Sequence, residues 1–217
     1  EVVAGEGGPV SKRQKRYDSR QENSNAGGNS SSNDDNEDIS VWFHMNFDGG
    51  SRGNPGVSGA GAEVVTRTFA GAKVRSRSTT KIRNYLGDKY TNNQAEYTGL
   101  VVGLECIQSI LQDEFSSARP SSKVTLVVQG DSDLIIKQIN GKYQCKNAKL
   151  KPLFKKVNDL IRTIKTFSKT KPADITFEHV YRNKNANADA LANEAMDAKR
   201  SWTTTGNEED EAAAHDD

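Results

Sequence analysis

Four carboxylates occupy positions in the sequence at which they could support metal-dependent chemistry. Asp48 ends the alternating run VWFHMNFD, and Asp131 ends the apolar run KVTLVVQGD. Glu96 lies about one turn into a helical segment, and Asp189 opens another. Each also has a plain structural explanation, as a turn or cap residue, a surface acid, or an acid that complements a helix dipole. Taken singly, these positions leave the choice open.

As a set, the four carboxylates favour a metal site, because the order of elements can bring them to one end of a sheet. Crowded carboxylates repel one another unless they take up protons or bind a cation. Oxygen-only ligands suit Mg²⁺ or Mn²⁺, and a pair of such ions can clamp the attacking water and the leaving oxygen of a phosphodiester. No histidine, cysteine or serine arrangement in the sequence offers a competing chemistry. The set therefore indicates metal-assisted hydrolysis.

The net charge of +1 conceals a separation between the ends and the middle of the chain. Residues 1–38 hold five Lys/Arg and eight Asp/Glu, and residues 201–217 hold six acids and no base. Residues 39–200 are left with 25 basic and 15 acidic residues, a net of +10. Such a domain suits a polyanionic partner, nucleic acid above all, with generic solubility as the alternative. A basic domain with an acidic metal pocket is what a nuclease requires.

Both ends of the chain are predicted to be disordered. The N-terminal tail, 1–38, contains SNAGGNSSSNDDNED, and the acidic tail, 201–217, ends in GNEEDEAAAHDD; neither can offset the entropy of ordering. Residues 39–200 are numerous enough for one folded domain. No segment approaches the roughly 20 apolar residues of a membrane span, so we expect no membrane association.

The location of the protein is indicated only weakly. We expect an intracellular protein, since Cys106 and Cys145 form no metal pattern and a reducing compartment is the default. The cluster SKRQKR at 11–16 resembles a nuclear-import signal. A solvated basic tail and an organelle are the alternatives.

Hydrophobic periodicity predicts an α/β domain with a five-stranded mixed sheet flanked by helices, in the order βββ-α-β-α-α-β-α. Three antiparallel strands come first and parallel strands follow. The apolar run 123–131 is expected to be a strand buried on both faces. Thr91 and Gln94 have capping-box spacing at the start of the first helix. The predicted strands are 41–48, 59–69, 71–82, 123–131 and 173–181, and the helices begin near 92, 134, 149 and 186.

Four motifs in this order resemble those of the type 1 ribonuclease H family. They are DGGSRGNPGVSGAGAEV, TNNQAEYTGLVVGLE, VVQGDSDLIIKQINGKY and HVYRNKNANADALANEA. The resemblance spans about residues 41–197 and implies a ribonuclease H-like fold. It also implies endonucleolytic hydrolysis of the RNA strand of an RNA–DNA hybrid, giving 5′-phosphate and 3′-hydroxyl ends.

The resemblance assigns roles to the four carboxylates. Asp48 is similar to the aspartate that bridges two Mg²⁺ ions, for which Mn²⁺ can substitute. Glu96 and Asp131 would hold one ion, with Glu96 also near the ribose 2′-hydroxyl. Asp189 would hold the other ion beside the attacking water.

The resemblance also implies contacts to a hybrid duplex, bound by a monomeric protein. Asn54, Asn92 and Gln94 resemble minor-groove contacts, where amides both donate and accept. Thr91 resembles a phosphate-pocket residue for the DNA strand, and it also serves as a helix cap.

Three features depart from the better-known members of the family. Asp133 stands where they have a glutamine, so that substrate contact is in doubt. The loop RNKNAN at 182–187 lacks their histidine; His179 falls in a strand and is interpreted as structural, and Arg182 or Lys184 is expected to help product release instead.

The third departure is the missing basic handle between the central helices, as in the reverse-transcriptase-like branch of the family. In its place, Lys142, Tyr143 and Lys146 of GKYQCKNAKLK (141–151) are expected to meet the DNA strand by charge and stacking. Two alternatives to an independent enzyme stay open. One is a catalytically inactive ribonuclease H-like binding domain of a larger assembly, and the other is the ribonuclease H domain of a retroelement polyprotein.

Overall fold

The computed structural model describes residues 39–115, 123–168 and 171–207 of the chain. Its strands are β1 Ile39–Arg52, β2 Gly56–Ala70, β3 Lys73–Tyr90, β4 Lys123–Gly130, β5 Asp174–His179 and β6 Trp202–Asn207. Its α-helices are α1 Asn92–Phe115, α2 Asp133–Ile139, α3 Lys151–Lys165 and α4 Ala186–Ala198. A single 3-10 turn, Arg182–Lys184, lies between β5 and α4. The predicted order of elements is confirmed, with β6 added at the end.

The strands form one mixed sheet in the spatial order β5-β4-β1-β2-β3-β6. β1, β2 and β3 form an antiparallel meander, β4 runs parallel to β1, and β5 runs parallel to β4. The predicted antiparallel-then-parallel arrangement is therefore confirmed. Because β1 and β4 are parallel neighbours, β4 ends beside the part of β1 that leads into Asp48, with Phe47 opposite Gly130. Asp48 and Asp131 follow directly from that pair. The predicted end of the first strand at Asp48 is wrong, since β1 stays paired with β2 as far as Arg52.

The main core lies between the sheet and the helices α1 and α3. Along β1, alternate side chains enter it, and Val41, Phe43, Met45 and Phe47 are buried. Each such side chain contributes about 1.5–3 kcal/mol to stability relative to an exposed one. On the other face, α4 packs on β1, β2 and β3. The alternation in VWFHMNFD thus places Asp48 on the face that α4 covers.

The prediction that 123–131 is buried on both faces is wrong for one of the faces. Val124, Leu126 and Val128 are fully buried, whereas Thr125 and Val127 between them are only half-buried. The physical reason is the position of α4. This helix packs on β1, β2 and β3, so it leaves the same face of β4 largely uncovered.

A sixth strand corrects the expected boundary of the acidic tail at residue 201. Residues 202–207 (WTTTGN) pair antiparallel with β3 from Ser78 to Arg83. The Trp202 ring anchors this strand, because the guanidinium carbons of Arg83 and Arg200 lie 4.9 and 5.0 Å from its centroid. Three consecutive β-branched threonines favour the extended backbone.

The predictions for 1–38, including SKRQKR, and for 208–217 lie outside the described residues. Within the described ranges, no helix has both the length and the apolar composition needed to cross a membrane.

Candidate active site

Asp48 is the buried centre of the site. It lies in β1 and is 6% exposed, and its Oδ1 accepts a hydrogen bond from the Gly49 backbone N–H at 2.7 Å. The pKa of Asp48 is raised to about 7, mainly by burial and also by the charges of Asp131, Asp189 and Glu96, against the lowering effect of the Gly49 bond. The other three predicted carboxylates therefore all lie close enough to Asp48 to act on it electrostatically.

Glu96 reaches the site because α1 touches β1 at a residue without a side chain. A Cβ added at Gly49 would lie 2.1 Å from the Ala95 carbonyl carbon and 2.3 Å from the Glu96 nitrogen. Only glycine permits so close an approach. The first turn of α1 therefore lies directly on the strand end that carries Asp48.

Glu96 is held by its neighbour across the site. Its Oε2 accepts a hydrogen bond from the Ser132 hydroxyl at 2.7 Å. Burial raises the pKa of Glu96 above its usual value; the Ser132 bond opposes this, the charge of Asp131 adds to it, and that of Arg182 opposes it. The residue that follows the β4 aspartate thus fixes the α1 glutamate.

Asp131 extends from the end of β4 and receives donors from two directions. Its Oδ1 accepts a hydrogen bond from Asn185 Nδ2 at 3.1 Å, and its Oδ2 lies 3.4 Å from Arg182 Nε. The side chain of Asp131 is 11% exposed, and that of Arg182 is 83% exposed. One carboxylate oxygen therefore faces the protein interior and the other faces an exposed cation.

Asp189 lies in the first turn of α4 and is half-buried. Its Oδ2 accepts a hydrogen bond from Asn193 Nδ2 at 3.2 Å, one turn further along the helix. Close packing sets the depth of this helix, because a Cβ added at Gly61 of β2 would lie 2.4 Å from the Ala188 carbonyl oxygen. The small side chains of β2 thus bring Asp189 close enough to act on Asp48.

The four carboxylates fit a hard divalent cation by chemistry and by charge. They offer only oxygen, one is buried and three are partly buried, and their charges add to the effect of burial in raising the pKa of Asp48. As the side chains stand, each is turned toward a local donor. Within the described ranges, no three acidic, histidine or cysteine side chains are gathered as a finished metal cluster. Ion binding would therefore require these side chains to turn inward.

The predicted minor-groove residues are brought together where the β1–β2 turn meets the start of α1. Asn54 Oδ1 accepts a hydrogen bond from the Asn92 backbone N–H at 3.0 Å, and Asn92 Oδ1 accepts one from the Ser51 N–H at 2.8 Å. Gln94 Oε1 accepts from both the backbone N–H and the hydroxyl of Thr91, at 3.1 and 3.0 Å. One bond of the predicted capping box is therefore present, from the Thr91 N–H to the Gln94 side chain. The other is absent, because the Thr91 hydroxyl bonds to Gln94 rather than to the backbone.

The predicted DNA-strand contacts follow α2 in the segment 141–150. Tyr143 is half-exposed, and Lys137 Nζ lies 5.1 Å from its ring centroid. Tyr143 and Lys146 line an open cavity of about 520 Å³, and Lys142 is exposed beside them. Asp133 is engaged by Lys137 at 2.7 Å, at the exposed start of α2.

Two residues at the site, Ser132 and Asn185, were missed by sequence reasoning. His179, interpreted as structural, donates from Nε2 to the Asp131 carbonyl oxygen at 3.2 Å and packs edge-on against Tyr181. Ser132 and Asn185 hold two of the carboxylates. The only sequence signal for Asn185 is its type and its place just before α4, where asparagine is a favoured N-cap.

The sheet order, with acids in β1, directly after β4, near the start of α1 and in the first turn of α4, defines a ribonuclease H-like domain. The chain belongs to the ribonuclease H family, since a family model described as reverse transcriptase-like matches residues 46–195.

Curated relatives share about a third of the aligned residues. The chain is 34% identical over 151 residues to a bifunctional protein of Mycobacterium tuberculosis, covering 70% of this chain and 34% of that protein. It is 33% identical over 154 residues to ribonuclease HI of Halobacterium salinarum, covering 71% of this chain and 64% of that protein. The chain thus spans about a third of the first relative and under two thirds of the second.

Solved structures agree on the fold. LC11-RNase H1, from compost and solved in complex with an RNA/DNA hybrid, is 31% identical, with 73% of this chain and 98% of that chain covered and a TM-score of 0.51. LC9-RNase H1, a type 1 enzyme with the type 2 active-site motif, has a TM-score of 0.53 at 13% identity over 83% of each chain, a likeness of fold alone.

Proposed function

We propose that this chain is a Mg²⁺-dependent ribonuclease H that cuts the RNA strand of RNA–DNA hybrids internally, leaving 5′-phosphate and 3′-hydroxyl ends. The observation that carries the proposal is the convergence of Glu96, Asp131 and Asp189 on the buried Asp48, whose pKa their charges raise. Kinship with a ribonuclease HI and with an enzyme solved on a hybrid supports the choice of substrate.

The four carboxylates would divide the ligation of two ions. Asp48 would bridge both, Glu96 and Asp131 would complete one site, and Asp189 would complete the other. When bound, such a pair of ions supplies a polarised phosphate and an activated water. The Ser132 hydroxyl holds one oxygen of Glu96. The second oxygen would meet the ribose 2′-hydroxyl. That hydroxyl is the group that distinguishes RNA from DNA.

The hybrid would lie with its minor groove over the cluster of Asn54, Asn92 and Gln94, with Thr91 beside a DNA phosphate. Their carbonyl oxygens are used within the protein, which sets the orientation of each amide. Lys142, Tyr143 and Lys146 would take the DNA strand further along, where lysines bind phosphate and an aromatic ring stacks on bases.

Arg182 is suited to the phosphate of the cut strand. Its guanidinium is exposed and lies 3.4 Å from Asp131. If Asp131 turned toward an ion, that guanidinium would be released from it and could bind the product phosphate, so Arg182 would take the place of the absent loop histidine in product release.

The proposal is tested by incubating the protein with end-labelled RNA–DNA hybrid, double-stranded RNA and single-stranded RNA, each with Mg²⁺, Mn²⁺ or chelator. We expect internal cuts in the RNA of the hybrid only, dependent on metal, with products that a ligase requiring 5′-phosphate accepts. Asp189→Asn should abolish cutting. Asp197→Asn is the matched control, since this exposed acid of the same helix pairs with Arg52 on the surface. Hybrid binding without cutting would instead favour the inactive binding domain.

A further inference from the structure

Asn185 is a nearly fully buried polar side chain at the point where three elements of the site meet. It is 1% exposed, and its Nδ2 donates to the Phe47 carbonyl oxygen at 2.9 Å and to Asp131 Oδ1 at 3.1 Å. Its Oδ1 accepts a hydrogen bond from Asn46 Nδ2 at 3.4 Å. One amide thus joins the end of β1, the end of β4 and the start of α4.

The main chain of Asn185 belongs to the same junction. Its N–H donates to the Arg182 carbonyl at 3.0 Å, and its carbonyl accepts the N–H of Asp189 at 3.1 Å. The residue that bonds to the Asp131 carboxylate therefore also forms the first helical hydrogen bond of the turn that carries Asp189. A shift of Asn185 would move two of the four carboxylates together.

The bond to Asp131 is the interior restraint on that carboxylate. The other oxygen faces Arg182, whose guanidinium is exposed and whose long side chain gives a weak constraint. A carboxylate held at one oxygen by a buried donor keeps its plane while the second oxygen stays available. Groups that bond to a metal ligand from behind in this way tune the affinity of the site.

We propose that Asn185 is a positioning residue, which orients Asp131 and places Asp189 for cation binding. The inference rests on the proposed function only for its effect on turnover. Its effect on cation affinity can be measured without substrate.

The matched comparison is Asn185→Ala against Asn46→Ala. Both changes break the hydrogen bond between the buried amides of Asn185 and Asn46. Only Asn185→Ala also removes the bond to Asp131. Mn²⁺ and Mg²⁺ affinity is measured by titration calorimetry without substrate, unfolding by heat, and kcat and KM on the hybrid. We expect both variants to lose thermal stability. Asn185→Ala should lose about 10–100-fold in cation affinity and in kcat with KM little changed, as for other residues behind metal ligands. Asn46→Ala should keep the wild-type cation affinity within about twofold.

Equal cation affinity in the two variants would overturn the inference. If Asn185→Ala does not fold, Asn185→Ser is judged by the same comparison, since its hydroxyl keeps one donor. A wild-type protein that binds cations but never cuts hybrid would sink the proposed function. In that case, weaker cation binding by Asn185→Ala than by Asn46→Ala would still support the positioning role. Normal cutting by the wild type, together with unchanged cation affinity in Asn185→Ala, would overturn the positioning role alone.

Discussion

Gly49 lies so close to Ala95 that a Cβ on the glycine would be 2.1 Å from the alanine carbonyl carbon. This contact between β1 and α1 sets the distance between the two carboxylates next to it in the chain, Asp48 before Gly49 and Glu96 after Ala95. A single methyl group at Gly49 would therefore clash with the α1 backbone and should disturb the site without replacing any of its carboxylates.

We therefore expect Gly49→Ala to cost about 1–3 kcal/mol in the free energy of unfolding, as overpacking does, and to reduce hybrid cleavage more than tenfold. Urea unfolding and initial rates check this. Gly50→Ala is the control, because its added Cβ would meet only the Met196 methyl at 3.5 Å, an ordinary contact. Similar behaviour of the two variants would contradict the argument.

Asp48→Asn should make the metal-free protein more stable at pH 8. The pKa of Asp48 is about 7 in the folded protein and near 3.8 in the unfolded chain, so the folded state holds its proton more tightly. Wild-type stability then falls as the pH rises between these values, and the amide variant avoids this loss. We expect a gain of up to about 4 kcal/mol above pH 7, which shrinks toward pH 4.

The measurement is urea unfolding in chelator across this pH range, with Asp197→Asn as the surface control. An Asp48→Asn protein that is less stable than wild type at pH 8 would refute the electrostatic explanation. The same variant should not cut hybrid at any pH.

Tyr97→Phe should destabilise the protein by about 1–3 kcal/mol, because a buried acceptor loses its donor. The Tyr97 hydroxyl donates to Gln138 Oε1 at 2.6 Å, and both side chains are buried. Gln138 Nε2 in turn reaches the Gln144 carbonyl at 3.4 Å, so the segment with Tyr143 should loosen as well. Chemical unfolding checks the stability, with Tyr181→Phe as the control, since that ring is 77% exposed. Equal stability of the two variants would contradict the role assigned to the buried bond.

Arg182→Ala should leave stability within about 0.5 kcal/mol of wild type, since exposed ion pairs contribute little. Its expected effect is on the substrate. The slope of log KM against log salt concentration should decrease by about one, which is the change expected for the loss of one phosphate contact. Lys165→Ala, an exposed cation at the end of α3, is the matched control and should keep the wild-type slope. An unchanged slope in Arg182→Ala would remove Arg182 from the interface.

Most of the site could be predicted because its acids stand at the ends of periodic segments. The alternation before Asp48 and the apolar run before Asp131 fix the strands, and parallel pairing then brings their ends together. Ser132 and Asn185 could not be found in this way. Their importance arises only when α1 meets β4 and when the 3-10 turn folds under β1, which are contacts between distant parts of the chain.

The limits of the sheet were harder to predict for a related reason. Composition marks 201–217 as acidic and polar. Yet the Trp202 ring packs against Arg83 of β3 and against Arg200, and the threonines beside it complete a strand. Likewise, one face of β4 is only half-buried because of where α4 packs. No local pattern in KVTLVVQGD could predict that placement.

β6 also covers an edge of β3 that would otherwise be open to another chain. With β6 in place, the backbone of β3 from Ser78 to Arg83 is fully paired. A protein cut after Arg200, where composition alone puts the boundary, would offer that row of amides and carbonyls to a neighbouring chain, and exposed edges of this kind lead to aggregation. Residues 202–207 should therefore protect the domain from aggregation, although they lie outside the candidate active site.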